Sequence, residues 1–321
     1  MKENNIDSEN LFRGLLLGLC LLPAVASASM FTGMYVFGDS LSDNGNLYAA
    51  SFNTVPAAPY FNGRFSNGPV AAEDMANALV AGGGTGSNFY DFAWGGATSG
   101  VGNYADGGTV TSLGAYALPG LAGEIGGYTS TFGSADPNAL YMVWAGPNDY
   151  VAGSTDYALA ASNVASSIQA LYDDGARHIL VANMPDLSMT PDYFGSADAQ
   201  SFAVGFNGLL ATDLAGLDTA GAQLTQFDTF GLFNDVLADP SAYGFANVSD
   251  PCYTGSYLVA NSGTVCSDPS QYLFWDGFHP TATGHQILAN AMVASVVPRP
   301  ASLCLFGSGL LGLLGIARRR S

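Results

Sequence analysis

Tyr35-Val36-Phe37-Gly38-Asp39-Ser40-Leu41-Ser42-Asp43-Asn44-Gly45-Asn46 is the stretch around which the chain is organised. It starts as an apolar run short enough for a buried strand, breaks at Gly38 and turns polar. Ser40 then stands at the carboxyl end of the strand, where open α/β sheets bind ligands. Backbone N–H groups of the following turn would be unpaired there and could stabilise an anion. The same residues also fit a plain turn of Gly, Asp and Asn with Ser40 as a helix N-cap.

Working outward, apolar runs of strand length recur at Asn88–Ala93, Leu140–Trp144, His178–Asn183 and, more weakly, Gln223–Asp228. Helical stretches separate them: Val70 to about Val80, Ala158–Asp173 ending at Gly175, and Asp198–Leu217. A last helix over Ala282–Ser295 is opened by Pro280 and Thr281. Strands alternating with helices predict βαβ units with right-handed crossovers. The fold class is therefore α/β, a parallel sheet covered by helices on both faces. No fixed-period repeat and no Pro- or Ser-rich linker divides the body.

Three stretches read as loops. Asn53–Gly68 is rich in Pro, Asn, Gly and aromatics. Gly82–Gly86 is a flexible loop without the Lys-Ser/Thr ending of a phosphate-binding loop, which argues against a nucleotide site. Val101–Gly133 is Gly-rich and weakly periodic, expected as loop plus part of a helix and as a lid over the substrate site. Together with Asp228–Tyr257 it is expected to shape the pocket.

Both ends read as targeting segments. The apolar stretch between Leu11 and Val25 has Arg13 near its start and closes on Ala24-Val25-Ala26-Ser27-Ala28. It reads as a secretory signal peptide, residues 1–28, rather than a membrane anchor. The body is expected as one domain over 29–296. Residues 297–321 then carry Pro298-Arg299-Pro300, an apolar run from Ala301 to Ala317 and Arg318-Arg319-Arg320. That run is at the short limit for crossing a bilayer, and its arginines would stay cytoplasmic.

Charge narrows the partners. Of 8 Lys+Arg only Arg64 and Arg177 fall in the body, against 23 of the 26 acids, a formal charge near −21. Such a field repels phosphate backbones and anionic membrane surfaces, so nucleic acid is excluded and membrane contact is left to the terminal segments. Cys252 and Cys266 are the body's only cysteines. In an exported chain they read as a disulfide worth about 3 kcal/mol in the chain-entropy model. No His- or Cys-rich cluster suggests a metal.

The opening stretch resembles the first block of the GDSL (SGNH) esterase and lipase family in Gly38-Asp39-Ser40-Leu41. Tyr60 to Pro69 is similar to a further segment of that family. Gly95-Gly96 resembles its second block, Gly146-Pro147-Asn148-Asp149 its third and Asp276-Gly277-Phe278-His279 its fifth; Asn183-Met184-Pro185 echoes the fourth loosely. Pro147 and Asp91 stand where glycine and asparagine are frequent. The resemblance implies a three-layer αβα sandwich on a flavodoxin-like five-stranded parallel sheet, and hydrolysis of carboxylic esters. The tail resembles a PEP-CTERM sorting signal, with Arg299 in place of its glutamate. It implies exosortase processing and an extracellular or cell-surface, exopolysaccharide-associated place in a Gram-negative bacterium. A plain tail anchor is the other reading.

Each residue type fits a step of that chemistry. A serine hydroxyl needs a base, and His279 is the candidate base and acid. Asp276, three residues earlier, is placed to fix the imidazole. The resemblance assigns the oxyanion hole to the N–H of Ser40, the N–H of Gly96 and the side-chain amide of Asn148. His285 is the rival base, and His178 reads as structural. Asp39, Asp43 and Asp149 read as turn and cap residues. No cofactor is expected, and no Gly-x-Ser-x-Gly elbow is present. Other readings are a carbohydrate O-acetyl esterase and a non-catalytic matrix or adhesion protein on a hydrolase scaffold.

Overall fold

The computed structural model describes residues 30–80 and 88–297. The segments read as a signal peptide and a sorting tail, and the stretch Gly82–Gly86 expected as a loop, lie outside the described residues. Five strands, β1 (Met34–Gly38), β2 (Phe89–Asp91), β3 (Leu140–Trp144), β4 (His178–Ala182) and β5 (Gln223–Phe227), form one parallel sheet in the order β2-β1-β3-β4-β5. This is the flavodoxin-like order expected above.

Side chains alternate across a strand, and here both faces are covered. Met34 and Val36 of β1, Leu140, Met142 and Trp144 of β3, and Leu180 of β4 point to one layer. There they meet the helices Ala71–Leu79, Thr229–Ala238 and Ala282–Val296. Tyr35, Phe37, Tyr141, Val143, Ile179 and Val181 point to the other layer. Those residues pack on Leu121–Phe132, Tyr157–Asp174 and Ala197–Ala215. Burial on both faces explains why β1 and β3 read as unbroken apolar runs rather than alternating ones. On the second face Tyr90, Tyr35 and Tyr141 stack across three strands in register, centroids 5.0 Å apart at each step. β5 is one of the two edges, and its exposed Gln223 and Gln226 suit a strand with one unpaired side.

Two expectations change. The stretch from Asp228 to Tyr257 does not shape the pocket throughout: Thr229–Ala238 is a helix capped by the Asp228 carboxylate, with Phe233 and Val236 buried in the core. Val101–Gly133 is loop plus helix, as expected, but not all of it covers the site. Leu121–Phe132 packs Leu121, Ile125 and Tyr128 on the sheet, and only the part before it reaches the site. A two-stranded parallel sheet of β6 (Asn247–Pro251) and β7 (Tyr272–Phe274), not read from the sequence, leads into the Asp276–His279 loop. Among the described residues no helix is long and apolar enough to cross a membrane.

Candidate active site

Ser40 lies in the turn that leaves β1 at the carboxyl edge of the sheet. Gly38 makes that exit possible. Its φ is +150°, and a Cβ there would fall on the carbonyl oxygen of Trp144 in β3. The turn is held from below by the buried Glu124, whose Oε2 accepts the Gly38 N–H at 2.7 Å.

His279 and Asp276 arrive from the far end of the chain, on the loop between β7 and the last helix. The Ser40 hydroxyl lies 2.8 Å from His279 Nε2. His279 Nδ1 lies 2.9 and 2.8 Å from the two Asp276 oxygens. The carboxylate therefore selects the Nδ1–H tautomer and leaves Nε2 to accept from the serine. Asp276 Oδ1 also accepts the N–H groups of Phe278 and His279, at 2.8 and 2.7 Å. The Phe65 ring lies 5.0 Å from the imidazole and backs it. Burial alone pushes the Asp276 carboxyl up. The neighbouring His279 and the hydrogen bonds from His279 and Tyr60 outweigh it, so the group sits below its ordinary value.

Tyr60 was not singled out by the sequence reading. Its hydroxyl donates to Asp276 Oδ2 at 2.6 Å, across 216 positions of chain. Nothing local to a Pro- and Asn-rich loop signals such a partner. Arg64, in the same loop, pairs with Glu73, its Nε donating to Oε2 at 3.1 Å. That pair ties the loop to the helix Ala71–Leu79.

Gly96 and Asn148 line the same pocket as Ser40 and His279. Gly96 has φ +84°, and a Cβ there would run into Asn103. No partner is found among the described residues for the N–H of Ser40 or of Gly96. The Asn148 amide donates one N–H to the Ala97 carbonyl at 3.1 Å, which fixes its plane and leaves the second N–H. Asp43 and Asp149 do more than end turns. Asp43 Oδ2 accepts the Gly95 N–H at 2.7 Å, joining the Ser40 turn to the glycine pair. Asp149 accepts the Ser99 N–H and hydroxyl at 2.7 and 2.6 Å, joining the glycine loop to Asn148. Burial pushes the Asp149 carboxyl up to about 6, against the pull of the Ser99 bonds.

The other candidates sit elsewhere. His285 is fully buried in the last helix, its Nδ1 accepting the Ala71 N–H at 3.3 Å. Burial, and then the charge of His279, drive it down to about 3, so it stays neutral and structural. His178 begins β4 and packs edge-on against Phe31. Cys252 and Cys266 form a disulfide. Cys252, Tyr253 and Trp275 belong to a cluster that includes Tyr60 and Phe65 and buttresses the site. Among the described residues no group of His, Cys, Asp and Glu is arranged to hold a metal ion.

A sequence model described as GDSL-like Lipase/Acylhydrolase matches residues 34–292. The chain is 28% identical over 260 residues to a phosphatidylcholine-sterol acyltransferase of Aeromonas hydrophila, covering 76% of this chain and 72% of that one. It is 27% identical over 229 residues to a thermolabile hemolysin of Vibrio parahaemolyticus, covering 67% of this chain and 50% of the hemolysin. Among solved structures, a member of the lipolytic G-D-S-L family from Veillonella parvula aligns over 82% of this chain and 96% of its own. The identity there is 11% and the TM-score 0.43.

Proposed function

Because this chain belongs to the GDSL-like lipase/acylhydrolase family, a family of carboxylic ester hydrolases, we propose that it is an exported serine esterase working through Ser40, His279 and Asp276. The observation that carries the reading is the continuous hydrogen-bond chain from the Ser40 hydroxyl through His279 to Asp276. In the first half-reaction Ser40 Oγ attacks the ester carbonyl while its proton passes to His279 Nε2. Asp276 stabilises the imidazolium from the other side. The oxyanion is met by the N–H groups of Ser40 and Gly96 and the Asn148 amide. His279 then returns the proton to the departing alkoxide, leaving an acyl-Ser40 ester. Water, deprotonated by the same imidazole, attacks that ester and restores the serine. An alcohol could take the acyl group by the same path, which agrees with a relative named as an acyltransferase.

Export is supported by the small-residue close of the leader and by a disulfide, which persists in oxidising compartments. The basic-tipped apolar tail supports retention at the cell surface. A fluorophosphonate probe tests the chemistry directly. The wild-type protein gains one adduct mass on the peptide carrying Ser40. Ser40→Ala neither gains it nor hydrolyses p-nitrophenyl acetate, while keeping its circular dichroism spectrum. Turnover at the wild-type rate by Ser40→Ala would overturn the assignment.

A further inference from the structure

The pocket at Ser40 is small, about 190 Å³. Beside it opens a larger cavity of about 770 Å³, and the two share Leu47, Tyr104, Ala105 and Tyr257 as a common wall. Sites that take a whole organic ligand run to roughly 300–1,000 Å³, so the second cavity is of ligand size and the first is not.

Its chemistry is one-sided. Beyond the shared wall lie Ala50, Val55, Leu118 and Leu258 with the rings of Phe52 and Tyr116. Phe52 is 90% exposed, Tyr116 83% and Leu258 59%, a cluster of apolar surface that folding leaves in water. Several of its polar side chains are engaged locally. The Ser51 hydroxyl donates to the Tyr48 carbonyl at 3.0 Å, and the Thr54 hydroxyl to the Ser51 carbonyl at 2.6 Å. Asp106 Oδ2 accepts the N–H groups of Tyr116 and Leu118. No lysine or arginine of the described residues lines the groove. The other side-chain polar atoms are Asp106 Oδ1 and the hydroxyls of Tyr104, Tyr116 and Tyr257, set on rings that present apolar faces, and no cation there would meet an anionic group.

Resting on the reading of Ser40 as nucleophile, we propose that this groove is the acyl-chain subsite and that the enzyme prefers esters of medium and long aliphatic acids. The carbonyl sits at Ser40. The chain crosses the wall of Tyr104 and Tyr257 and lies along Ala50, Val55 and Leu118. Continuity with the catalytic pocket makes the occupant the substrate's own acyl chain rather than a separate ligand.

The test is kcat/KM for p-nitrophenyl esters from acetate to dodecanoate, each below its micelle-forming concentration. Wild-type protein gains about fourfold for each added methylene, the equivalent of about 0.8 kcal/mol per buried CH₂, until the groove is full. Ala50→Trp places an indole in the groove from an exposed helix position and lowers the decanoate-to-acetate ratio at least tenfold. Phe52→Asp lowers the same ratio while keeping the wild-type thermal transition, because position 52 is in solvent and its φ of +57° suits Asp. A flat profile in an enzyme that turns over acetate overturns the subsite and leaves the esterase. Loss of turnover of every ester in the wild type overturns both. An unchanged ratio in Ala50→Trp also overturns the subsite. So does a defect confined to release of acetate from acetylated polysaccharide, which would assign the groove to a glycan.

Discussion

Tyr60→Phe removes one oxygen and leaves the ring in its aromatic cluster. The lost bond is short, 2.6 Å, and ends on a buried carboxylate. Hydrogen bonds to a charged group contribute roughly 1.5–3 kcal/mol net. Burial, and then the nearby Asp276 charge, raise the Tyr60 phenol far above its ordinary value, so it donates at every working pH. About 2 kcal/mol of stability should therefore go, roughly 4–8 °C in Tm for a domain of this size. The kinetic effect has a definite direction. With one donor fewer, the carboxylate holds the imidazolium more tightly, so the acid limb of kcat/KM moves to higher pH. The whole 2 kcal/mol, at 1.36 kcal/mol per unit, caps that movement at about 1.5 units. The assay is the pH profile of kcat/KM for p-nitrophenyl butyrate from pH 4 to 9, beside a thermal melt. KM should hardly move. An acid limb that stays in place, or moves to lower pH, refutes the role given to Tyr60; an unchanged melt refutes the energy assigned to the bond.

Two further outcomes follow from the same geometry. Asn148→Ala deletes the amide proposed as an oxyanion donor and should lower kcat by about 10²–10³, roughly 2.7–4 kcal/mol, with KM little changed; a loss under threefold in steady-state kinetics removes Asn148 from the hole. Asp39 is pushed up from 3.8 to about 7, chiefly by burial, against the Leu41 N–H bond and the His279 charge. Its folded form binds the proton more tightly than the unfolded chain, so its stabilising contribution is full below about pH 4 and is lost as pH rises through about 7. Between pH 5 and 8 wild-type protein should lose about 3 kcal/mol that Asp39→Asn keeps, read from urea unfolding at both pH values; parallel losses in the two proteins would refute it.

Legibility in the sequence followed locality. The strands β1, β3 and β4 are apolar over five residues or nearly so, and each meets a turn at its carboxyl end, so the runs announced both sheet and edge. Ser40, Gly96 and Asn148 were readable because each stands just beyond an apolar run, and Asp276 and His279 because they lie three residues apart in one short motif. The helix Thr229–Ala238 was not, because two buried anchors, Phe233 and Val236, are too few to mark a face. β6 reads Asn-Val-Ser-Asp-Pro, with no apolar alternation, and becomes a strand only because β7 runs beside it. Tyr60 and Glu124 act on atoms 216 and 86 positions away, so neither carries a sign in its own neighbourhood.

The site crowds acids together with no lysine or arginine among the residues lining its pocket, and this poses an electrostatic problem. Asp39, Asp43, Asp91, Glu124 and Asp149 are held near the turn that carries Ser40, while the reaction builds negative charge on the substrate oxygen. Five ionised carboxylates there would oppose that charge. Burial resolves the conflict. It lifts Glu124 and Asp91 well above the ordinary range and Asp39 to about 7, so several of these groups can stay protonated. Asp276 is buried as deeply, yet backbone N–H groups, the imidazole and Tyr60 hold it below its ordinary value. The same side-chain chemistry is thereby divided between carboxyls whose protonated form burial favours and one whose ionised form its partners favour. That anion faces the proton-bearing side of His279, where negative charge helps, and not the oxyanion, where it would not.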